Sequence, residues 1–413
     1  MPSFVDHVQK AFGALKLVVW LVLTLQWRRL RRLLRVNTLF GEARIVDNFS
    51  DMKGFFFSRP MPVGSDSPLR LAHALHPLPA RFSFRGQEFD LGAWQRARRL
   101  TAMVVIHDGA ITYEEYFLGT DETDTRISWS MAKSVLSAGF GVAVQEGAIG
   151  ALDTPVTDYV PALSNSAYDG VSIRNVLNMA SGVAFNEDYL DFHSDINRMG
   201  RVLALGKSMD GFASGLSVRA RAPGTRRQYV SIDTHVLGMV LRAATGRTVP
   251  DYLGEKVLQP LGIEADAYFL TDGFGTAFVL GGLNMRTRDY ARFGVMMANG
   301  GRIGNRQIIP ADWVASSTTQ SAPPPFEGDE GTDNGLLGYG YQWWLPPEAQ
   351  PGEFFAIGIY GQYTYINSAA NVVIAVNAAD RDFRDGNGRI TLTNIAMFRA
   401  ITADLRRMTK RPE

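Results

Sequence analysis

The chain has 413 residues, 46% of them apolar and 20% charged, with a formal net charge of +1. That balance excludes a disordered chain and leaves room for a large core, in two or three domains or in one large fold with an insertion. A near-neutral surface supplies no overall field for nucleic acid, which is not expected as a partner. Cysteine is absent, which excludes disulfides, thiolate zinc sites and a cysteine nucleophile. Six histidines at positions 7, 73, 76, 107, 193 and 235 show no metal-ligand spacing, so neither a metal nor a cofactor is expected.

The N-terminus carries the one strong shift in composition. Residues 12–27 are almost wholly apolar, broken by Lys16, and Arg28, Arg29, Arg31, Arg32 and Arg35 follow at once. Sixteen helical residues span roughly 24 Å at about 1.5 Å each, short of a hydrocarbon core of about 30 Å. A cleaved signal peptide would carry its charges before the apolar run, not after it. A single anchor with cytoplasmic arginines, an interfacial helix with its arginines toward water, and an ordinary core or dimer helix all fit the pattern. The expectation is a membrane-associated N-terminus over residues 1–36 with the bulk of the protein cytoplasmic; a periplasmic body is the alternative.

Residues 37–98 contain Pro60, Pro62, Pro77 and Pro79 and are expected to be an irregular wrapping segment. Two strand-like runs follow, 102–107 and 111–117, joined by Asp108-Gly109, a strong hairpin signal. Next comes Ser128-Trp129-Ser130-Met131-Ala132-Lys133-Ser134, opening an apolar segment that runs to Val144. Positions three apart on a helix share a face, so Lys133 would stand beside the Ser130 hydroxyl and could take its proton. A serine hydroxyl is a weak nucleophile without such a base. The same spacing occurs at Ser50-Asp51-Met52-Lys53, where Gly54 follows and no helix pattern begins.

Residues 150–285 read as mostly helical, with a serine cap at Ser172, a helix over 234–245 closed by Gly246, and another over 252–261. A fourth helix is predicted over 288–299. The stretch 322–340 is rich in proline and glycine and too long for a tight connection, as lids and binding loops are. Strands are predicted at 354–357, 363–367 and 372–376, and a closing helix at 390–408. Strands on both sides of a helical stretch predict one sheet, over 99–149 plus 286–413, with residues 150–285 as a helical region.

These motifs, in this order, resemble the S-x-x-K serine hydrolases of the class C β-lactamase and penicillin-binding-protein type. Within them the chain is most similar to the 6-aminohexanoate-dimer hydrolases and related esterases. The resemblance runs from about Leu100 to Met408. It rests on the Ser130-x-x-Lys133 motif, Leu152-Asp153-Thr154-Pro155-Val156, Ile173 to Gly182, and Tyr229-Val230-Ser231 at the place of a Y-x-N or Y-x-S motif. Gly281-Gly282-Leu283-Asn284 and Gly338-Tyr339-Gly340-Tyr341-Gln342-Trp343-Trp344 complete it. It implies an α/β fold: an antiparallel sheet flanked by helices, with an all-helical region inserted and the active site at the seam.

By the same resemblance Ser130 is the nucleophile, Lys133 its base, and Tyr229 the group that passes a proton to the leaving group. The backbone N–H groups of Ser130 and Ile359 would form the oxyanion hole. Gly358 lets the backbone approach the substrate, Gln362 caps a polar substrate group or bonds the next strand, and Ser231 hydrogen-bonds near the substrate. Tyr189, in Asn186-Glu187-Asp188-Tyr189, matches a tyrosine that contacts the scissile amide nitrogen in amide-cleaving relatives. Ala356 stands where β-lactamases and D,D-peptidases carry a lysine that would meet a substrate carboxylate. The expected partner is therefore a small-molecule ester or linear amide. A penicillin-recognising enzyme and a non-catalytic membrane-tethered binding protein remain as alternatives.

Overall fold

A computed structural model describes residues 16, 19, 20, 23, 27, 30–62, 68–329 and 332–408. Most of the apolar stretch 12–27 therefore lies outside the described residues. Asp108 and Gly109 both take positive φ, 48° and 79°. That geometry suits a two-residue hairpin turn between twisted strands, and it folds Leu100–His107 onto Ala110–Tyr116. Around this hairpin grows an eight-stranded sheet, in the order Gly338–Gly340, Trp343–Leu345, Glu353–Gly358, Gln362–Asn367, Val372–Ala378, Leu100–His107, Ala110–Tyr116 and Ala72–His73. Every neighbouring pair is antiparallel except the last, which is parallel. The strand Leu100–His107, from before the helical region, thus lies beside the last strand Val372–Ala378, as the order of the predicted elements requires.

Side chains alternate across the sheet. Val104, Ile106, Val373 and Ala375 face one core, shared with the helices Met131–Gln145 and Thr287–Ala298. Met103, Val105, Ile374 and Val376 face the other, closed by Ile395, Phe398, Ile401 and Leu405 of the helix Arg389–Met408. Because the central strands are covered on both faces, Leu100–His107 and Val372–Ala378 are buried along their whole length.

Two predicted segments hold more structure than expected. Residues 37–98 are not irregular throughout. They build the helices Ile45–Ser50 and Leu91–Ala97 and the strand Phe57–Met61, because apolar Ile45, Phe49 and Met52 bury against the body of the fold. Residues 150–285 carry the expected helices, including Ser231–Thr245 closed by Gly246 at φ 66°, but end in the strands Ala267–Thr271 and Leu283–Arg286. With Phe57–Met61 and Thr125–Ile127 these form a four-stranded sheet. Its edge strand Thr125–Ile127 leads straight into Ser128, and the Ser128 N–H donates to the Leu283 carbonyl at 2.8 Å. The second sheet is therefore what carries the turn into Ser130.

Candidate active site

Ser130 occupies, with its side chain not engaged in capping, the N-cap position of the buried helix Met131–Gln145, where the unpaired N–H groups and helix dipole favour developing negative charge. The preceding Trp129 has φ 43°, an uncommon conformation for a bulky residue and one that costs energy locally. Further along the helix, Ser134 donates to the Gln342 carbonyl and Ser137 to the Tyr341 carbonyl, each at 2.7 Å. The Gln342 amide donates to the Leu177 carbonyl and its oxygen accepts from Thr234. One glutamine so joins the Met131–Gln145 helix, the Ile173–Leu177 helix and the Ser231–Thr245 helix.

Lys133 lies one turn after Ser130. Its Nζ donates to Ser130 Oγ at 2.9 Å and to the Leu280 carbonyl at 2.7 Å, and the side chain is 2% exposed. Burial lowers its pKa from the ordinary 10.5 to about 7, opposed in part by the Glu187 carboxylate. A buried amine with that pKa is neutral in an appreciable fraction of molecules near neutrality, as a base must be. The other Ser-x-x-Lys pair forms no such site. Ser50 accepts from buried Arg126, and Lys53 lies 5.5 Å from the ring centre of Tyr268.

Tyr229 stands over this pair. Lys133 Nζ is 5.2 Å from its ring centre, and Trp344 stacks against it with centroids 5.4 Å apart. Burial pushes the Tyr229 hydroxyl far up, while the Ser130 and Ser231 hydroxyls favour its anion. Ser231, two residues on and 1% exposed, gives both its N–H and its hydroxyl to the Glu187 carboxylate, the N–H at 3.1 Å. Tyr189 donates to the same carboxylate at 3.1 Å, and half-exposed Arg384 sits over the Tyr189 ring. Ser231 thus spends its donors on Glu187. Burial raises the Glu187 pKa, with Ser231, the charge of Lys133 and Tyr189 acting against it.

Sequence reasoning passed over Glu187. Its one trace was an acidic residue beside Tyr189, in a motif where Asn186 and Asp188 offered the same polarity. Only folding shows which of the three meets Ser231 and Tyr189.

The strand Glu353–Gly358 ends against the turn Ser128–Ser130. A Cβ on Gly358 would fall 2.4 Å from the Ser128 carbonyl and 3.1 Å from Ser130 N, so only glycine permits this approach. Ile359 follows, half-buried, in the loop between paired strands. It therefore stands one residue from a point packed on Ser130. Ala356 is 1% exposed and packed in the core. Gln362, expected to cap a polar substrate group or bond the next strand, does only the second. Its amide donates to the carbonyls of Ile359, Tyr360 and Ala378 and its oxygen accepts from Asn377 and the Ala378 N–H. At 1% exposure it has nothing left for a ligand.

Among the described residues no cluster of His, Asp or Glu could hold a metal ion. An antiparallel sheet flanked by helices, with a serine hydrogen-bonded to a buried lysine at its seam, defines the class: the protein is a serine hydrolase of the amidase and esterase type. The chain belongs to the beta-lactamase family, whose model matches residues 87–396. It is similar to the 6-aminohexanoate-dimer hydrolase of Paenarthrobacter ureafaciens, 29% identical over 311 residues, covering 73% of this chain and 79% of that one. A structure from Bacillus anthracis, provisionally described as a 6-aminohexanoate-dimer hydrolase, superposes with a TM-score of 0.74 at 22% identity, over 91% of this chain and 97% of that one. A family VIII carboxylesterase gives 0.53 at 17% identity, over 75% and 97%.

Proposed function

We propose that the protein cleaves a carboxylic ester or linear amide through an acyl-enzyme on Ser130. The observation that carries this reading is the 2.9 Å hydrogen bond between Ser130 Oγ and a Lys133 amine whose burial lowers its pKa to about 7. Neutral Lys133 takes the Ser130 proton as Oγ attacks the carbonyl carbon. The oxyanion accepts from the N–H groups of Ser130 and Ile359, a stabilisation worth several kcal/mol in such sites. Tyr229, beside both Ser130 and Lys133, delivers the proton to the departing alcohol or amine. Water then attacks the acyl-enzyme along the same proton path in reverse and releases the acid.

Buried, apolar Ala356 disfavours β-lactams and D-alanyl peptides, whose carboxylate would want a cation there. The name of the Paenarthrobacter relative supports an amide substrate, and that of the carboxylesterase supports an ester.

The N-terminal helix is read as an interfacial anchor. Leu23, Trp27, Leu30 and Leu34 recur every three or four residues and are exposed, whereas Arg32 and Arg35 lie over the rings of Phe57 and Phe55. Among the described residues no helix is long and apolar enough to cross a membrane. An amphipathic helix lying in the headgroup region fits this pattern, with the catalytic body on the cytoplasmic side. Sedimentation with anionic vesicles, full chain against a chain lacking residues 1–36, tests this; equal pelleting would remove the reading.

The catalytic reading is tested with a fluorophosphonate probe, a panel of p-nitrophenyl esters and linear amides, and nitrocefin. The expected result is an adduct on Ser130, absent from Ser130→Ala, with turnover of esters or amides exceeding that of nitrocefin. A folded protein that neither labels nor turns over any of them would be a silent binder. Preferred turnover of nitrocefin would overturn the argument from Ala356.

A further inference from the structure

The family match begins at residue 87, yet part of the structure around Ser130 comes from far upstream of it. Phe40 stacks on Tyr360 with centroids 5.1 Å apart and an interplanar angle of 14°, and lies 5.8 Å from Trp129. Phe49 meets Trp129 edge-on at 5.5 Å and Tyr360 at 5.4 Å. Trp129 and Tyr360 are themselves 6.0 Å apart. They are the sequence neighbours of Ser130 and Ile359, the two proposed oxyanion donors.

Both also hold positive φ, 43° at Trp129 and 62° at Tyr360. A non-glycine residue in that region persists only where its surroundings hold it there, at a local cost of about 1–3 kcal/mol. The two phenylalanines supply much of those surroundings, touching both rings at once.

The segment that carries them is itself fastened to the nucleophile strand. Arg126, buried on Thr125–Ile127, donates to the Val46 carbonyl at 2.8 Å and to Ser50. Asn48 donates to the carbonyls of Thr38 and Leu39, at 3.1 Å and 2.9 Å, which fixes the turn just before Phe40. We propose that Phe40 and Phe49 are positioning residues for the oxyanion hole, so that residues 38–50 are a working part of the active site. The proposal rests on the acyl-transfer reading above.

The test uses the full chain as wild type, Phe40→Ala, Phe40→Leu, Phe40→Tyr and Ser130→Ala. Phe40 is 37% exposed, so its truncation leaves the buried core in place. With a p-nitrophenyl ester, Phe40→Ala and Phe40→Leu are expected to lower kcat about tenfold or more while KM stays within about twofold, because misplaced donors weaken the transition state and not the bound ester. Fluorophosphonate labelling of Ser130 should slow by a similar factor, and Phe40→Tyr should restore both rates. Folded Phe40→Ala or Phe40→Leu protein with unchanged kcat would overturn the proposal, even if its unfolding midpoint fell, since that is all a merely structural ring would do. If folded wild type neither turned over ester nor labelled, while Ser130→Ala behaved identically, the acyl-transfer reading would fall and this proposal with it.

Discussion

Replacing Lys133 with methionine separates what this residue does for catalysis from what it does to stability. Burial lowers its pKa from the ordinary 10.5 to about 7. Below about pH 7 the folded chain therefore holds a buried ammonium that the unfolded chain would hold in water, at a cost of about 5 kcal/mol. Between about pH 7 and pH 10.5 the unfolded chain binds this proton and the folded chain does not. Stability from this group consequently rises with pH across that window, and the penalty is gone above it. Linkage leaves roughly 4 kcal/mol of the penalty at pH 7 and roughly 1 kcal/mol at pH 9.5. Methionine has similar bulk and no charge. The stability of Lys133→Met relative to wild type should thus be about 3 kcal/mol more favourable at pH 7 than at pH 9.5. The hydrogen bonds lost to Ser130 and Leu280 offset both values together. Urea unfolding of the two proteins at the two pH values measures the difference; titrating groups remote from Lys133 cancel, and the same pair in a Glu187→Gln background removes the carboxylate coupled to it. A pH-independent difference, or one of opposite sign, would refute the depressed pKa and with it the claim that Lys133 is a ready base. Above about pH 7, where Lys133 is largely neutral, the variant should lose about 10²–10⁴-fold in kcat, the usual share of a general base.

Tyr229→Phe keeps the stack on Trp344 and removes the hydroxyl; kcat should fall about 10²–10³-fold, most for amides, whose leaving group needs the proton more. Comparison of a nitrophenyl ester with a linear amide reads this directly, and equal, small losses would assign the proton transfer elsewhere. Glu187→Gln removes the charge that holds the Lys133 pKa up. The acidic limb of kcat/KM, which rises as Lys133 deprotonates, should therefore move to lower pH. An unmoved limb would mean that Glu187 does not carry its charge in the working enzyme.

Reading the chain from its residues alone succeeded where a structural relation is local. The turn at Asp108-Gly109, the cap at Ser172, the helix end at Gly246 and the Ser130–Lys133 pairing each depend on a few adjacent φ and ψ angles, or on one helical turn. Motif order carried the resemblance and, with it, Tyr229. Ser50-x-x-Lys53 and Ser130-x-x-Lys133 have the same spacing, and Gly54 already set the first apart; only the second opens an α-helix with its lysine buried. The reading stayed open where one polarity admits two uses. Gln362 has the polarity of a substrate-binding residue, yet it satisfies every donor and acceptor within its own hairpin and the adjoining strand.

What the sequence by itself determined is the Ser130–Lys133 pairing and the class of fold that presents it, because both are written in short spacings and in the alternation of apolar residues. Tertiary structure decided what surrounds those groups. Glu187 meets Ser231 across 44 residues, Phe40 reaches Trp129 and Tyr360, and Gln342 binds three helices together. Such contacts have no signature along the chain, since which distant side chains meet is settled only when the whole core packs. Yet burial and neighbouring charge are what bring the Lys133 pKa near neutrality.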